Sequence, residues 1–403
     1  MAADPGIAPL KPVSPLSRRG FLSATLAACL SVPARGQSAA AATPRVLRIA
    51  KAGFDGKAPG PEFRVKRGEE FAVRVVNELD EPTAIHWHGL RLPNAMDGAP
   101  PLTQAPITPG ASFDYRFVAP DAGTFWYHSF HPTHAELFGA FIVEETAPPA
   151  IDQDVTLLLA KPGKDSAFTV NGTPSFDIRA RTNERVRLRL INTSYDQVIE
   201  LRVVGLRTFV MAADGQPAQP FAAREGRLIL GPGNRTDVFI DCTLVAGGSS
   251  AITLEHAGNS LGIVSITCQA GEPARTMPRD VPRPLPPNPL PERMDFRDAL
   301  RLELALGQSH PAKAATPLFA VKRRRTVMLG LSNPTSESTF IHLHGHSFRL
   351  LDGLDDGWKP FWLDTMPMAP QGKARIAFVA DNPGKWLIEG LGSGGAPIWF
   401  EVS

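Results

Sequence analysis

VRLRLIN, residues 186–192, places apolar side chains at alternate positions and then stops at an asparagine. In a strand, alternate residues share a face, so Val186, Leu188 and Leu190 would line one side and Arg187 and Arg189 the other. The same design occurs twice more, as FAVRVVN at 71–77 and VMLGLSN at 327–333, each with apolar residues six, four and two places before the asparagine. Asn77, Asn192 and Asn333 are spaced by 115 and 141 residues (192 − 77 and 333 − 192). A unit repeated at that period implies three β domains of similar size. EFAVRVVN, RVRLRLIN, TFIHLHGHSF and RLELAL read as half-buried strands, and no long stretch has the 3.6-residue period of a helix. The expected fold is all-β, built of sandwiches.

The second interval is longer because of MPRDVPRPLPPNPLP, residues 277–291, which is too proline-rich for a sheet interior and should run as an extended surface linker. The expected divisions are a leader at 1–44, domains at 45–147, 148–272 and 299–403, and the linker at 273–298. The 403 residues, 43% hydrophobic and 20% charged, have the composition of a soluble globular protein of two or three domains. A net charge of +2 gives no electrostatic reason to expect nucleic acid or a membrane surface as partner. The one basic run, KRRR at 322–325, leads into the VMLGLSN segment and fits a solvated approach to that strand.

Residues 17–22, SRRGFL, open the modest apolar stretch FLSATLAACLSV, which is too short to span a bilayer. The pattern resembles a twin-arginine export signal, a route for proteins that fold before crossing, and points to the periplasm. Cleavage near residues 34–40 would release the protein; LAAC at 26–29 also resembles a lipoprotein box, with a lipid anchor at Cys29 in the outer or inner membrane as the alternative. No transmembrane span is expected. Cys242 and Cys268 end the strand-like runs DVFIDC and IVSITC, and either a disulfide or two buried thiols fits them.

Eight of the ten histidines fall in three short segments: AIHWHGL at 84–90, WYHSFHPTH at 126–134 and FIHLHGHSF at 340–348. Strand spacing lets His86 and His88 present two imidazoles to one side, and likewise His342 and His344. Imidazole suits copper, zinc, iron and nickel. Because these pairs come from the first and third repeats, a shared metal site would lie between those two domains.

At these residues the chain resembles a known family. HWHGLRLPNAMDGAPPLTQAPITPG, GTFWYHS, VNGTPSFDI, AADGQP, HLHGHSFRLL and DNPGKW occur in order from about residue 45 onward and look like the multicopper oxidases, laccase-like proteins. The resemblance implies three cupredoxin-like Greek-key β-sandwich domains. It also implies oxidation of phenols, metal ions or similar reductants at a type 1 copper, with electrons passed to a three-copper cluster that reduces dioxygen. By the same resemblance His86 and His342 match type 2 ligands, His88 and His128 match ligands of one type 3 copper, and His344 matches a ligand of the other. Asp97 matches a carboxylate just outside the ligands that assists proton delivery, although an Asp-Gly pair also simply makes turns.

The departures from the family are large. Phe130 stands where the YHS motif has a second histidine, and Thr339 stands where a type 1 histidine belongs. Residues 384–403, GKWLIEGLGSGGAPIWFEVS, hold no His, Cys or Met. The repeat itself sets FVAPDAGTFWYHS against FVADNPGKWLIEG, which puts Glu389 opposite His128. His131 and His134 could swing into the place of Phe130. Glu389 could offer an oxygen, although a solvated residue at a strand edge is the simpler reading, and Met366 and Met368 belong to packing before cuprous binding. The expectation is a protein that binds one or two copper ions rather than four, without a type 1 centre. Such a protein would be a copper-binding oxidoreductase acting on a small-molecule or metal-ion reductant, and a monomer. The alternatives are a non-catalytic periplasmic copper-binding protein and a copper-free scaffold.

Overall fold

Each copy of the repeat occupies the same place in a sheet. In the computed structural model, which describes residues 44–130, 134, 136–161, 166–306, 316–351, 358–391 and 398–403, Glu70–Asn77 pairs in parallel with Arg45–Ala50 and antiparallel with Ser112–Val118. Arg185–Asn192 lies in the same way between Gln153–Ala160 and Arg235–Asp241, and Thr326–Ser332 between Leu300–Ala305 and Lys373–Val379. A second sheet faces each of these, so six sheets form three sandwiches. Each sandwich closes on its own apolar cluster, around Val73 and Val75, around Leu188 and Leu190, and around Leu329 and Leu331. Fully burying a Val or Leu side chain stabilises a fold by about 1.5–3 kcal/mol, so the three positions before each asparagine anchor its sandwich.

The asparagines themselves are fully buried, and their amides close the same turn three times. Asn77 Nδ2 donates to the carbonyls of Glu81 and Ile107 while Oδ1 accepts from Leu79 N–H. Asn192 does the same with Gln197, Leu230 and Ser194, and Asn333 with Glu337, Met368, Ala369 and Thr335. An unpaired buried polar group costs about 1–3 kcal/mol, which is why an amide ends all three strands.

One expectation fails here. RVRLRLIN is buried on both faces, not one. Its arginine face meets the first sandwich instead of water: Arg189 Nη1 bonds Thr124 Oγ1 at 2.9 Å, and Thr124 in turn bonds Asp237 at 2.6 Å. Arg187 pairs with Glu145 at 2.8 Å and with Asp237, and Arg189 with Asp154 at 2.7 Å. Buried charge is tolerable only when paired in this way.

Residues 277–291 contain no helix or strand and run extended over the middle sandwich. Their backbone is held by Arg185 and Arg207, which donate to the carbonyls of Asp280 and Arg279 at 2.7 and 2.6 Å. The Asn288 amide exchanges hydrogen bonds with Ala122 N–H and C=O and reaches Gln216, so the linker is stitched to two sandwiches. Cys242 and Cys268 are two buried free thiols in the middle core. Burial and the neighbouring Cys268 push the Cys242 thiol up to about 11. Among the described residues no helix is long and apolar enough to cross a membrane. The leader, Arg18, Arg19, Cys29 and His131 lie outside the described residues.

Candidate metal centre

The strand Ile85–His88 pairs with Gly123–Ser129, and its register sets His86 opposite His128 and His88 opposite Trp126. In the third sandwich Thr339–Leu343 pairs with Gly384–Leu391, setting His342 opposite Glu389. The faces of these two strand pairs meet. His86 Nε2 lies 3.2 Å from His342 Nε2, the His88 and His342 rings stack at 3.7 Å, and His344 lies over His86 at 4.1 Å. His86, His88, His128, His342 and His344 are all buried. Donor atoms of His86, His342 and His344, and of His86, His88 and His128, come within 4.8 Å of one another.

The surrounding acceptors decide which nitrogen of each ring carries its proton. A carbonyl cannot donate, so His86 Nδ1 must donate to Asp97 O at 2.8 Å and His128 Nδ1 to Ser129 O at 3.0 Å. His342 Nδ1 donates to Asp364 O and to Thr365 Oγ1, at 3.1 and 2.9 Å. Thr365 Oγ1 gives its own hydrogen to Asp364 Oδ1 at 2.8 Å, so His88 Nε2 must donate to it at 3.1 Å. What remains is Nε2 of His86, His128 and His342 and Nδ1 of His88, four bare lone pairs in a buried space. Among the described residues His88 Nδ1 has no hydrogen-bond partner. Two lone pairs 3.2 Å apart with no proton between them repel unless a cation joins them. Burial first, then the neighbouring imidazoles, hold His86 and His88 well below the ordinary histidine value. Burial lowers His342 and takes His128 down to about 4, so neither readily takes the missing proton. The donor set fits copper, which imidazole binds well.

Asp97 holds two of these rings. Its carboxylate accepts from His344 Nδ1 at 2.9 Å and its carbonyl from His86. Burial pulls His344 down, yet Asp97 and Glu389 together carry it up to about 9. The Asp97-Gly98 pair is also a turn: Gly98 has φ +79°, and a Cβ there would lie 1.7 Å from Ile85 O. The turn is what delivers the carboxylate to His344.

Several expectations are corrected. His134 does not fill the place of Phe130; its Nε2 bonds Glu81 at 2.6 Å and its Nδ1 faces Glu136. Phe130 occupies that place with its own ring, 6.1 Å from His86 and 6.2 Å from His344. Glu389 is not a solvated edge residue, because its strand has Thr339–Leu343 on one side and Ile398–Val402 on the other. Met366 and Met368, by contrast, pack in the third core as expected. His346 sits beyond the turn at Gly345 (φ +65°) and packs against Phe378, Trp386 and Phe400.

Other residues at the site gave no signal in the sequence. Arg235, from the middle sandwich, is fully buried; its Nη1 bonds Asp364 Oδ1 at 2.8 Å and its Nε bonds Thr124 O at 3.3 Å. Gly89 makes room for this pair, since a Cβ there would meet Arg235 Nη2 and Asp364 Oδ2. Tyr195, half-buried, brings its hydroxyl 3.3 Å from His128 Nδ1. Trp126 lies between His88 and His128, with ring centroids at 4.9 and 4.5 Å.

Three sandwiches with imidazoles gathered where the first and third meet define a cupredoxin-type protein with a candidate inter-domain metal centre. The chain belongs to the multicopper oxidase family, whose domains, each described as "Multicopper oxidase", match residues 40–148, 121–246 and 284–389. It is 27% identical to multicopper oxidase MmcO of Mycobacterium tuberculosis over 92% of this chain and 93% of that protein. Among solved structures it is similar to Lac15 from a marine microbial metagenome, at 32% identity and a TM-score of 0.78 over 89% of this chain and 100% of that one. A multi-copper oxidase from Pseudomonas thermotolerans is similar at 29% identity and a TM-score of 0.79, over 90% and 99% of the two chains.

Proposed function

We propose that this is an exported copper-binding oxidoreductase of its family with a reduced centre. It would hold one or two coppers through His86, His342, His88 and His128, with His344 adjoining. The observation that carries this reading is the four bare nitrogen lone pairs, each fixed by an acceptor on the opposite side of its ring. Copper held there supplies one-electron redox chemistry toward a small-molecule or metal-ion reductant. The protein's own part is to fix the four rings, to exclude water by burial, and to keep the Asp97 carboxylate on His344 where a proton is held.

The residues do not fit a type 1 centre. Such a site needs a thiolate, and the third sandwich has none: Gly390 follows Glu389, and Thr339 lies buried opposite Met368. Cys242 and Cys268 are in the middle core. The four-copper cycle therefore should not run. Protein delivered through its own leader and saturated with copper should show one or two ions per chain and the paramagnetic resonance spectrum of imidazole-bound copper, without an intense blue band. Oxygen uptake with phenolic or metal-ion donors should be near that of free copper. An intense blue band overturns the claim about the type 1 site; no bound copper at saturation favours the scaffold reading.

Export is tested separately. Arg18→Lys with Arg19→Lys should leave the protein in the cytoplasm, and normal periplasmic delivery of that variant would defeat the twin-arginine reading. Cys29→Ser should release a membrane-bound form only if the LAAC box is lipidated.

A further inference from the structure

The two strand pairs that meet at the centre are built alike, and each offers a cross-strand pair: His86 with His128, and His342 with Glu389. Glu389 thus stands in the third sandwich where a ligand candidate stands in the first. Its carboxylate is half-buried, and His344 is its only ion-pair partner among the described residues. That pair is long. Glu389 Oε2 is 3.4 Å from His344 Nε2, whereas Asp97 Oδ2 reaches the other nitrogen of the same ring at 2.9 Å. A charge-assisted hydrogen bond made for its own sake closes to about 2.7–2.9 Å. The ring has therefore settled on Asp97, and the Nε2 contact with Glu389 is the longer and weaker of its two carboxylate bonds. His344 Nδ1 is fixed by Asp97, so Nε2 is the nitrogen an ion would take, in place of the proton it shares with Glu389.

We propose that Glu389 is a metal ligand which, with His344, makes a mixed oxygen–nitrogen position beside the imidazole position of His86 and His342. Carboxylate oxygen is a hard donor and suits divalent ions, whereas cuprous ion is held by softer ligands. The added negative charge also favours the more highly charged ion. The second position is thus selective for copper(II) over copper(I), while the first, made of imidazole alone, accepts either. This inference rests on the copper-binding reading above and adds a residue and an oxidation-state preference to it.

The test is equilibrium dialysis against copper(II) and, anaerobically with reductant, against copper(I), for the parent, Glu389→Gln and Glu389→His. Metal-free unfolding midpoints check that each variant is folded. Glu389→Gln keeps the shape of the side chain and removes its charge, so it should lose the second copper(II) or bind it at least about tenfold more weakly. Its first copper(II), read by paramagnetic resonance, and its cuprous affinity should match the parent. Glu389→His should restore the second ion and raise cuprous affinity. If the parent binds copper and Glu389→Gln binds the same number of copper(II) ions equally tightly, Glu389 is only a partner of His344 and the inference falls alone. A parent that binds no copper overturns the functional reading and this one together. Should Glu389→Gln not fold, Glu389→His alone decides: unchanged cuprous affinity overturns the proposal.

Discussion

A chain carrying both His86→Ala and His342→Ala should lose its tightest copper, and with it most of the rise in melting temperature that copper gives. The two Nε2 atoms lie 3.2 Å apart, one from each outer sandwich, so an ion between them ties the sandwiches together. Anything that binds only the folded state stabilises it by mass action, by about 4.1 kcal/mol at a thousand times the dissociation constant. The double variant forfeits that increment. Its metal-free form should change less, because removing two facing lone pairs relieves a repulsion that partly offsets the cavities left by the rings. Melting curves with and without copper, beside dialysis, separate the two effects. Undiminished copper binding by the double variant would falsify the assignment of the site.

Arg235→Met should cost about 3–5 kcal/mol of stability, the usual result of removing one partner from a buried charge cluster. Arg235 is fully buried; it pairs with Asp364 and, at 3.5 Å, with Asp214, and it donates to the carbonyls of Gly233 and Thr124. Without it two carboxylates are left buried near one another. The effect should reach the centre, since Asp364 bonds the Thr365 hydroxyl that orients His88 and His342. Copper affinity should fall about 10–100-fold, as it does when partners behind metal ligands are lost. Adding Asp364→Asn should recover part of the stability and none of the affinity. Denaturant unfolding and copper dialysis give both readouts; a variant as stable as the parent would show that the cluster is not a clamp.

The residues legible in the sequence are those carried by a local period. Asn77, Asn192 and Asn333 stand out because three apolar residues precede each at strand spacing, and the structure uses all three alike. His86, His88, His342 and His344 stand out for the same reason, as pairs two residues apart. What stayed hidden is long-range. Period two shows that Arg187 and Arg189 share a face but not that the face meets Thr124 of another sandwich. Glu389 looked like an edge residue because its strand gains its second neighbour only from Ile398–Val402. His134 was placed by nearness in the chain, whereas Glu81, 53 positions away, is what it bonds. Arg235, Asp364, Thr365 and Tyr195 are single residues without a pattern, brought in by the docking of sandwiches.

The separation of His86 and His342 by 256 positions also sets an order of assembly. Contacts between distant residues form only after the intervening chain has been organised, and domains of a long chain generally fold as units. The first sandwich can arrange His86, His88 and His128 early, on its own pair of strands. It cannot fix His88, whose orienting hydroxyl is Thr365 of the third. Nor can the third take its place without Arg235 of the middle one, which bonds Asp364. The tight position therefore comes into being last, when all three units have docked. An ion bound there would arrive late, at a finished protein, and would not act as a template for folding it.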